Sequence, residues 1–201
     1  MVQRITAQQV LDSKALLFGD KTLTLFGEKG CTAHEIATRR DGDWLFVDDC
    51  LRLRVLLLFV NSSSMKEFMY TLAERAFVES RFSIDLVNRT LSLMREEKIT
   101  KEDVDKISYR ASTTPEADFN YMLLTVKYAA ESVLDDNLFN VCPRFDACFF
   151  ACKAAYRSAI WAYASKLGAD INDIKARQYG AAAFDREQSW QITELVKLFE
   201  S

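Results

Sequence analysis

One histidine, two prolines and six glycines make these the chain's scarce residues, and each scarcity excludes something. With His34 as the sole imidazole, no histidine pair marks a metalloprotease helix, and a serine or cysteine nucleophile lacks its usual base. His34 therefore reads as a surface or hydrogen-bonded residue. The glycines form no phosphate loop: Gly27-Glu-Lys-Gly30 is too short and lacks a lysine-serine or lysine-threonine ending. So few prolines and glycines leave long elements uninterrupted. Charge of one sign is also lacking. A formal charge of −3 offers no general attraction for a nucleic-acid backbone. The apolar run Leu51–Val60 is too short to span a bilayer and is interrupted by Arg52 and Arg54. Neither a nucleic-acid nor a membrane partner is expected.

The five cysteines, at 31, 50, 142, 148 and 152, are odd in number, and no secretory pattern opens the chain. They read as reduced, mostly buried thiols of a cytoplasmic protein. Cys148 and Cys152 share a helix face at i, i+4. Zinc would need two further ligands, and the spacing signatures of zinc sites are missing. No metal, cofactor or catalytic residue is expected.

What the chain does have is helix punctuation. Thr6/Gln9, Thr32/Glu35, Ser64/Glu67 and Thr100/Asp103 each read as a capping box. They predict helices over 7–17, 33–39, 65–78 and 101–111. Lys21–Phe26 alternates polar and apolar residues, which suits an extended segment or one short strand. Asp43 is expected to cap a helix over 44–59, with Asp48 and Arg52 paired across one turn. Ile84, Val87, Leu91 and Met94 form the stripe of a helix over 82–97. Pro115 sits at the first position of a helix that continues from Phe119 to Leu134. Pro143 starts a long helix that Gly168 stops, and Asp170 or Asn172 caps a last helix reaching about Phe199. The sum is an all-α protein, a multi-helix bundle of about eight to nine helices joined by short connections, in a single domain spanning 1–201.

The last quarter is dense in alanine and rings, the composition of closely packed helices. Trp161 and Trp190 are expected to be structural there, with Arg186 and Glu187 paired to neighbouring helices. Trp44 is expected to be buried against these C-terminal helices. Acids gather in two places: Asp41, Asp43, Asp48 and Asp49 around Trp44, and Asp135-Asp136 at a helix end. Two acids can share general acid and base roles. Caps and helix dipoles explain the first group more simply.

Three stretches together resemble one family. They are the Gly42-Asp43-Trp44 turn feeding an apolar helix, the section from Leu72-Ala-Glu-Arg-Ala to Lys101-Glu-Asp-Val-Asp-Lys, and the alanine- and tyrosine-rich helices ending in Asp185-Arg-Glu-Gln-Ser-Trp-Gln. Over Thr32–Phe199 this order resembles the all-helical immunity proteins of bacterial toxin loci and of phage and prophage genomes. The chain departs from that pattern in its bulky Phe149, Phe150 and Ile160, which leaves open a specialised phage homologue, such as an inhibitor of host defence. The resemblance implies a non-enzymatic protein that binds and neutralises a protein target, either a toxin or a defence component. Asp41, Asp48 and Asp49 are the expected partner-binding residues, with Asp135 and Asp136 second. A homodimer is left open. The competing readings are a helical enzyme with a carboxylate site and a self-associating regulatory module.

Overall fold

Local capping chemistry sets most helix starts. In the computed structural model, which describes residues 3–13, 21–80, 84–115, 117–135 and 141–200, three of the four expected boxes are complete. Thr6, Thr32 and Thr100 each accept the backbone N–H three residues on, and Gln9, Glu35 and Asp103 return the bond. These open α1 (Ala7–Asp12), α3 (Ala33–Thr38) and α7 (Lys101–Ser112). The part of the first expected helix beyond Ser13 lies outside the described residues. Between α1 and α3 sits α2 (Thr22–Phe26), a short helix where the alternation suggested extended chain. Its Leu25 and Phe26 are buried, and tertiary packing overrides the period of two. Arg4–Ile5 (β1) and Cys31–Thr32 (β2) form a minimal antiparallel pair in the register Arg4↔Thr32.

At three starts the cap differs from the expected residue. Residues Gly42–Phe46 form a 3₁₀ turn, and α4 (Asp49–Phe59) begins after it. Asp48 is the cap: its Oδ1 accepts the Leu51 N–H at 2.7 Å. Asp43 lies inside the 3₁₀ turn and caps no helix, which corrects the role expected for it. In α5 (Ser62–Glu79) the cap is Asn61, three residues ahead of Ser64. The last helix, α10 (Ile174–Glu200), is capped by Asp173 through the Lys175 N–H at 2.7 Å, while Asp170 closes a turn onto Asn172. The remaining helices are α6 (Asp85–Arg95), α8 (Ala117–Leu134) and α9 (Val141–Leu167), so Pro115 precedes α8 instead of opening it and Pro143 sits in the first turn of α9, where its missing N–H has no intrahelical partner to lose. Among the described residues there are ten α-helices, and the fold is all-α.

The core is built around α8. Met122, Leu123, Val126, Ala129 and Ala130 have no exposed surface, and they meet Met69 and Leu72 of α5 and Ala147 and Cys148 of α9. The expected stripe of α6 is buried at Val87, Leu91 and Met94. Helices α9 and α10 form an antiparallel hairpin of two 27-residue arms. Gly168, at φ +62°, ends α9, and the Ala169 N–H closes back on the Ala164 carbonyl at 3.1 Å. The main core takes in α9 up to Ala151 and α10 from Ile192, with Trp190 packed against it. Beyond that the two arms pack on each other through Ile160, Ala164, Ala176 and Ala183. Gly180 lets them approach closely: a Cβ there would lie 2.8 Å from the Tyr156 ring.

Candidate partner-binding surfaces

The first acidic group sits where α3, the 3₁₀ turn and α4 meet. Its organising residue is Arg52, a side chain with no exposed surface. Its guanidinium donates to the Val47 carbonyl at 3.1 Å, the Trp44 carbonyl at 2.9 Å and the Ile36 carbonyl. Asp49 approaches at 3.4 Å, so Arg52 pairs with Asp49 rather than with the expected Asp48, which serves as the cap. Burial, and then neighbouring Arg40, pull the Arg52 pKa below its usual value, with Asp49 and Asp48 opposing. Trp44 is buried as expected, and residues of α2 and α4 help hold it. Its indole N–H donates to Leu25 at 2.9 Å, and its ring meets Phe26 edge-on and lies under Arg52. Those contacts belong to the N-terminal half of the chain.

The carboxylates are engaged locally. Asp41 is exposed and takes a 2.7 Å ion pair from Arg39, whose hydrogen bond holds its pKa below the usual carboxylate value. Asp49 also meets Arg40 at 3.0 Å. The acidic segment is thus a mixed surface in which Arg39 and Arg40 offset much of the negative charge. Sequence reasoning missed its apolar element. Leu45 is 63% exposed and Phe46 75% exposed, side by side on the 3₁₀ turn, with Lys21 over the Phe46 ring at 5.9 Å. The signal was the run Trp-Leu-Phe, in which only one of three large side chains points inward. Beside this surface a groove of about 370 Å³ runs between α3 and α10, lined by His34, Thr38, Arg40, Ser189, Thr193 and Lys197 among others.

Asp135 lies at the end of α8, in a broad hollow with Lys101, Asp105, Glu131 and Pro143. Asp136 falls outside the described residues.

In the C-terminal hairpin, Glu187 is buried and takes a 2.8 Å ion pair from Arg75 of α5, whereas Arg186, expected to pair likewise, is exposed. Gln191 joins it, donating to the Cys148 carbonyl at 3.1 Å. Trp190 is half-buried, stacked on Phe68 and covered by Arg75 at 4.6 Å. Trp161 departs from expectation: it is 44% exposed and lies beyond the main core. Burial pushes the thiols of Cys148 and Cys152 up, well away from the reactive thiolate. Among the described residues no three metal-binding side chains gather, and no helix is long and apolar enough to cross a membrane.

Glu35 supplies a pH readout of this region. The Thr32 backbone N–H, and then Arg4, lower its pKa from the usual value. A lowered folded pKa means stability that is present above the unfolded value of about 4.3 and is lost as pH falls through the folded one. The stability gap between the wild type and Glu35→Gln, measured by urea unfolding, is expected to be widest near neutrality and to close on acidification below that value. A gap that widens on acidification contradicts this.

Comparison with family models finds no match, and comparisons with curated proteins and with solved structures find no significant one.

Proposed function

We propose that this all-α chain is a non-enzymatic inhibitor that binds and neutralises a protein target, as a toxin-immunity protein or a phage-encoded anti-defence or anti-CRISPR-type protein. The carrying observation is the Leu45-Phe46 pair. Two adjacent large apolar side chains stand in water on a turn that Arg52 and Trp44 hold rigidly from behind. Fixed apolar anchors with a polar rim are what protein interfaces use. Asp41 and Asp43 supply the rim here, and Asp48 and Asp49 belong to it at the cost of their structural duties. Asp135, with Asp136 next to it in sequence, is the second contact region in this reading. Five unpaired thiols support a reducing, cytoplasmic setting.

The enzyme reading draws on Asp146, a half-buried carboxyl on α9 whose pKa burial raises, with Lys127 and Arg54 opposing. Raised carboxyl pKa values occur at acid–base sites and also in ordinary cores. Leu45→Ser with Phe46→Ser is expected to weaken binding to the isolated target by roughly 100-fold, the loss of two anchors. Asp41→Lys with Asp43→Lys is expected to slow association in a salt-dependent way. Both pairs spare the Asp48 cap and the Asp49–Arg52 contact, so folding stays intact. Calorimetry against the purified target measures both. Unchanged affinity in the apolar pair removes this surface, and turnover by the pure protein that Asp146→Asn abolishes removes the inhibitor reading.

A further inference from the structure

Two of the five thiols meet one face of α10. Gln188 donates an amide N–H to the Cys50 sulfur at 3.3 Å, and Gln191 donates to the Cys152 sulfur at 3.5 Å. Side chains three residues apart on a helix are neighbours, so adjacent amides hold one thiol of α4 and one of α9. The register of α4 on α9 brings the same two together. Arg144 donates to the Leu57 carbonyl at 3.3 Å, and Arg54 lies over the Phe145 ring at 4.1 Å. Two turns back along α4 from Leu57 stands Cys50, and just over two turns forward along α9 from Arg144 stands Cys152. The other cysteines are placed differently. Cys148 and Cys152 share one helix at i, i+4, where Cβ atoms lie about 5–6 Å apart, whereas a disulfide needs about 3.5–4.5 Å. Cys142 is about 15 Å from Cys152 along α9 at 1.5 Å per residue. Cys31 is buried, its thiol donating to the Leu25 carbonyl of α2 at 3.7 Å.

We propose that Cys50 and Cys152 are a peroxide-responsive pair whose disulfide fastens the first turn of α4 to α9. Cys50 is the residue an oxidant meets, because it is partly exposed while Cys152 is buried. Its sulfur attacks one oxygen of hydrogen peroxide. The O–O bond breaks, a water leaves with the thiol proton, and a sulfenic acid remains. The Cys152 sulfur then attacks the Cys50 sulfur. The S–S bond forms as the S–O bond breaks, and the hydroxyl departs as water with the Cys152 proton. Two thiols are oxidised, and one peroxide is reduced to two waters. The second step is the slow one. Burial, and then Glu187, push the Cys152 thiol up, with Gln191 opposing, and the Gln191 amide must leave the sulfur before it can turn. Free thiols that join only under peroxide are a sensing pair rather than a structural disulfide. The bond closes a loop of about a hundred residues and secures the start of α4, next in sequence to the Leu45-Phe46 turn. The switch operates whether or not a target occupies that turn.

The test treats the full chain with hydrogen peroxide, blocks the remaining thiols with N-ethylmaleimide and digests it with trypsin without reductant. Mass spectrometry is expected to find the peptide Asp41–Arg52 joined to the peptide Phe145–Lys153. Cys148→Ser should keep the link. Cys50→Ser and Cys152→Ala should each lose it, and Cys152→Ala should instead hold the Cys50 sulfenic acid, which dimedone labels. Cys50→Ser alters a partly exposed side chain, so it reads the link even where a substitution at the buried position 152 unfolds the chain. The linked protein should unfold several degrees above the reduced one, and dithiothreitol should restore the lower midpoint. No joined peptide, a link that survives Cys152→Ala, or oxidation that only joins two copies through Cys142 overturns the proposal. So does a linked protein that unfolds at or below the reduced midpoint.

Discussion

Arg52→Met is expected to destabilise the protein by about 3–5 kcal/mol, the range for deleting one partner of a buried charged network. The methionine stem fills much of the same volume. It donates nothing, so the carbonyls of Ile36, Trp44 and Val47 lose their shared donor inside the fold. Arg52→Lys should recover little, because a single ammonium on a shorter stem cannot span three carbonyls arranged for a planar fork. For a chain of this size the thermal midpoint should fall by roughly 10 °C. Urea unfolding with the slope held fixed gives the free energy. A loss under about 1 kcal/mol would mean that the three carbonyls find other donors and that Arg52 organises nothing.

Trp44→Ala is expected to cost a similar amount, about 3–5 kcal/mol, from the lost ring volume and the cavity left behind. Trp44→Phe separates the parts. It keeps most of the packing on Phe26 and loses only the indole N–H to Leu25, worth about 1 kcal/mol. Because the Arg52 guanidinium lies over the indole and bonds the Trp44 carbonyl, the two sites share a network. The Arg52→Met/Trp44→Ala double variant should therefore lose less than the two single losses added together. Strict additivity would show that the clamp and the ring act independently.

These two residues also mark how far the sequence could be read. Capping boxes at Thr6, Thr32 and Thr100 were legible because donor and acceptor lie three residues apart, and the same short range gave the α6 stripe and the Gly168 stop. The N-terminal misreadings share one cause. Gly42 at φ +53° opens a 3₁₀ turn, which moves the helix start from Asp43 to Asp48 and frees Leu45 and Phe46 to point outward. That turn is specified by Arg52 reaching Ile36, sixteen residues away, and no local window contains the pairing. Trp161 illustrates the opposite error. Ring-rich alanine helices suggested core throughout, yet the hairpin runs past the elements that cover its first half. Where the rings stop being buried depends on how long α5 and α8 are. Of the acids at 41–49, Asp48 and Asp49 do stand at an α-helix start, whereas Asp41 and Asp43 belong to the 3₁₀ turn, and Arg39 and Arg40, in plain view beside them, were not weighed as counterions.

The cysteines give the fold an internal clock. Cys142 is exposed, whereas Cys31, Cys148 and Cys152 are buried, the latter two where α9 faces Gln191. A disulfide reagent reacts with thiolate, so Cys142 should be labelled within the mixing time of an ordinary assay. Cys148 and Cys152 must wait until α10 lifts away from α9, and their labelling rate then counts those openings one molecule at a time. Mass spectrometry of the label at each position would thus time the hairpin's breathing without any added probe.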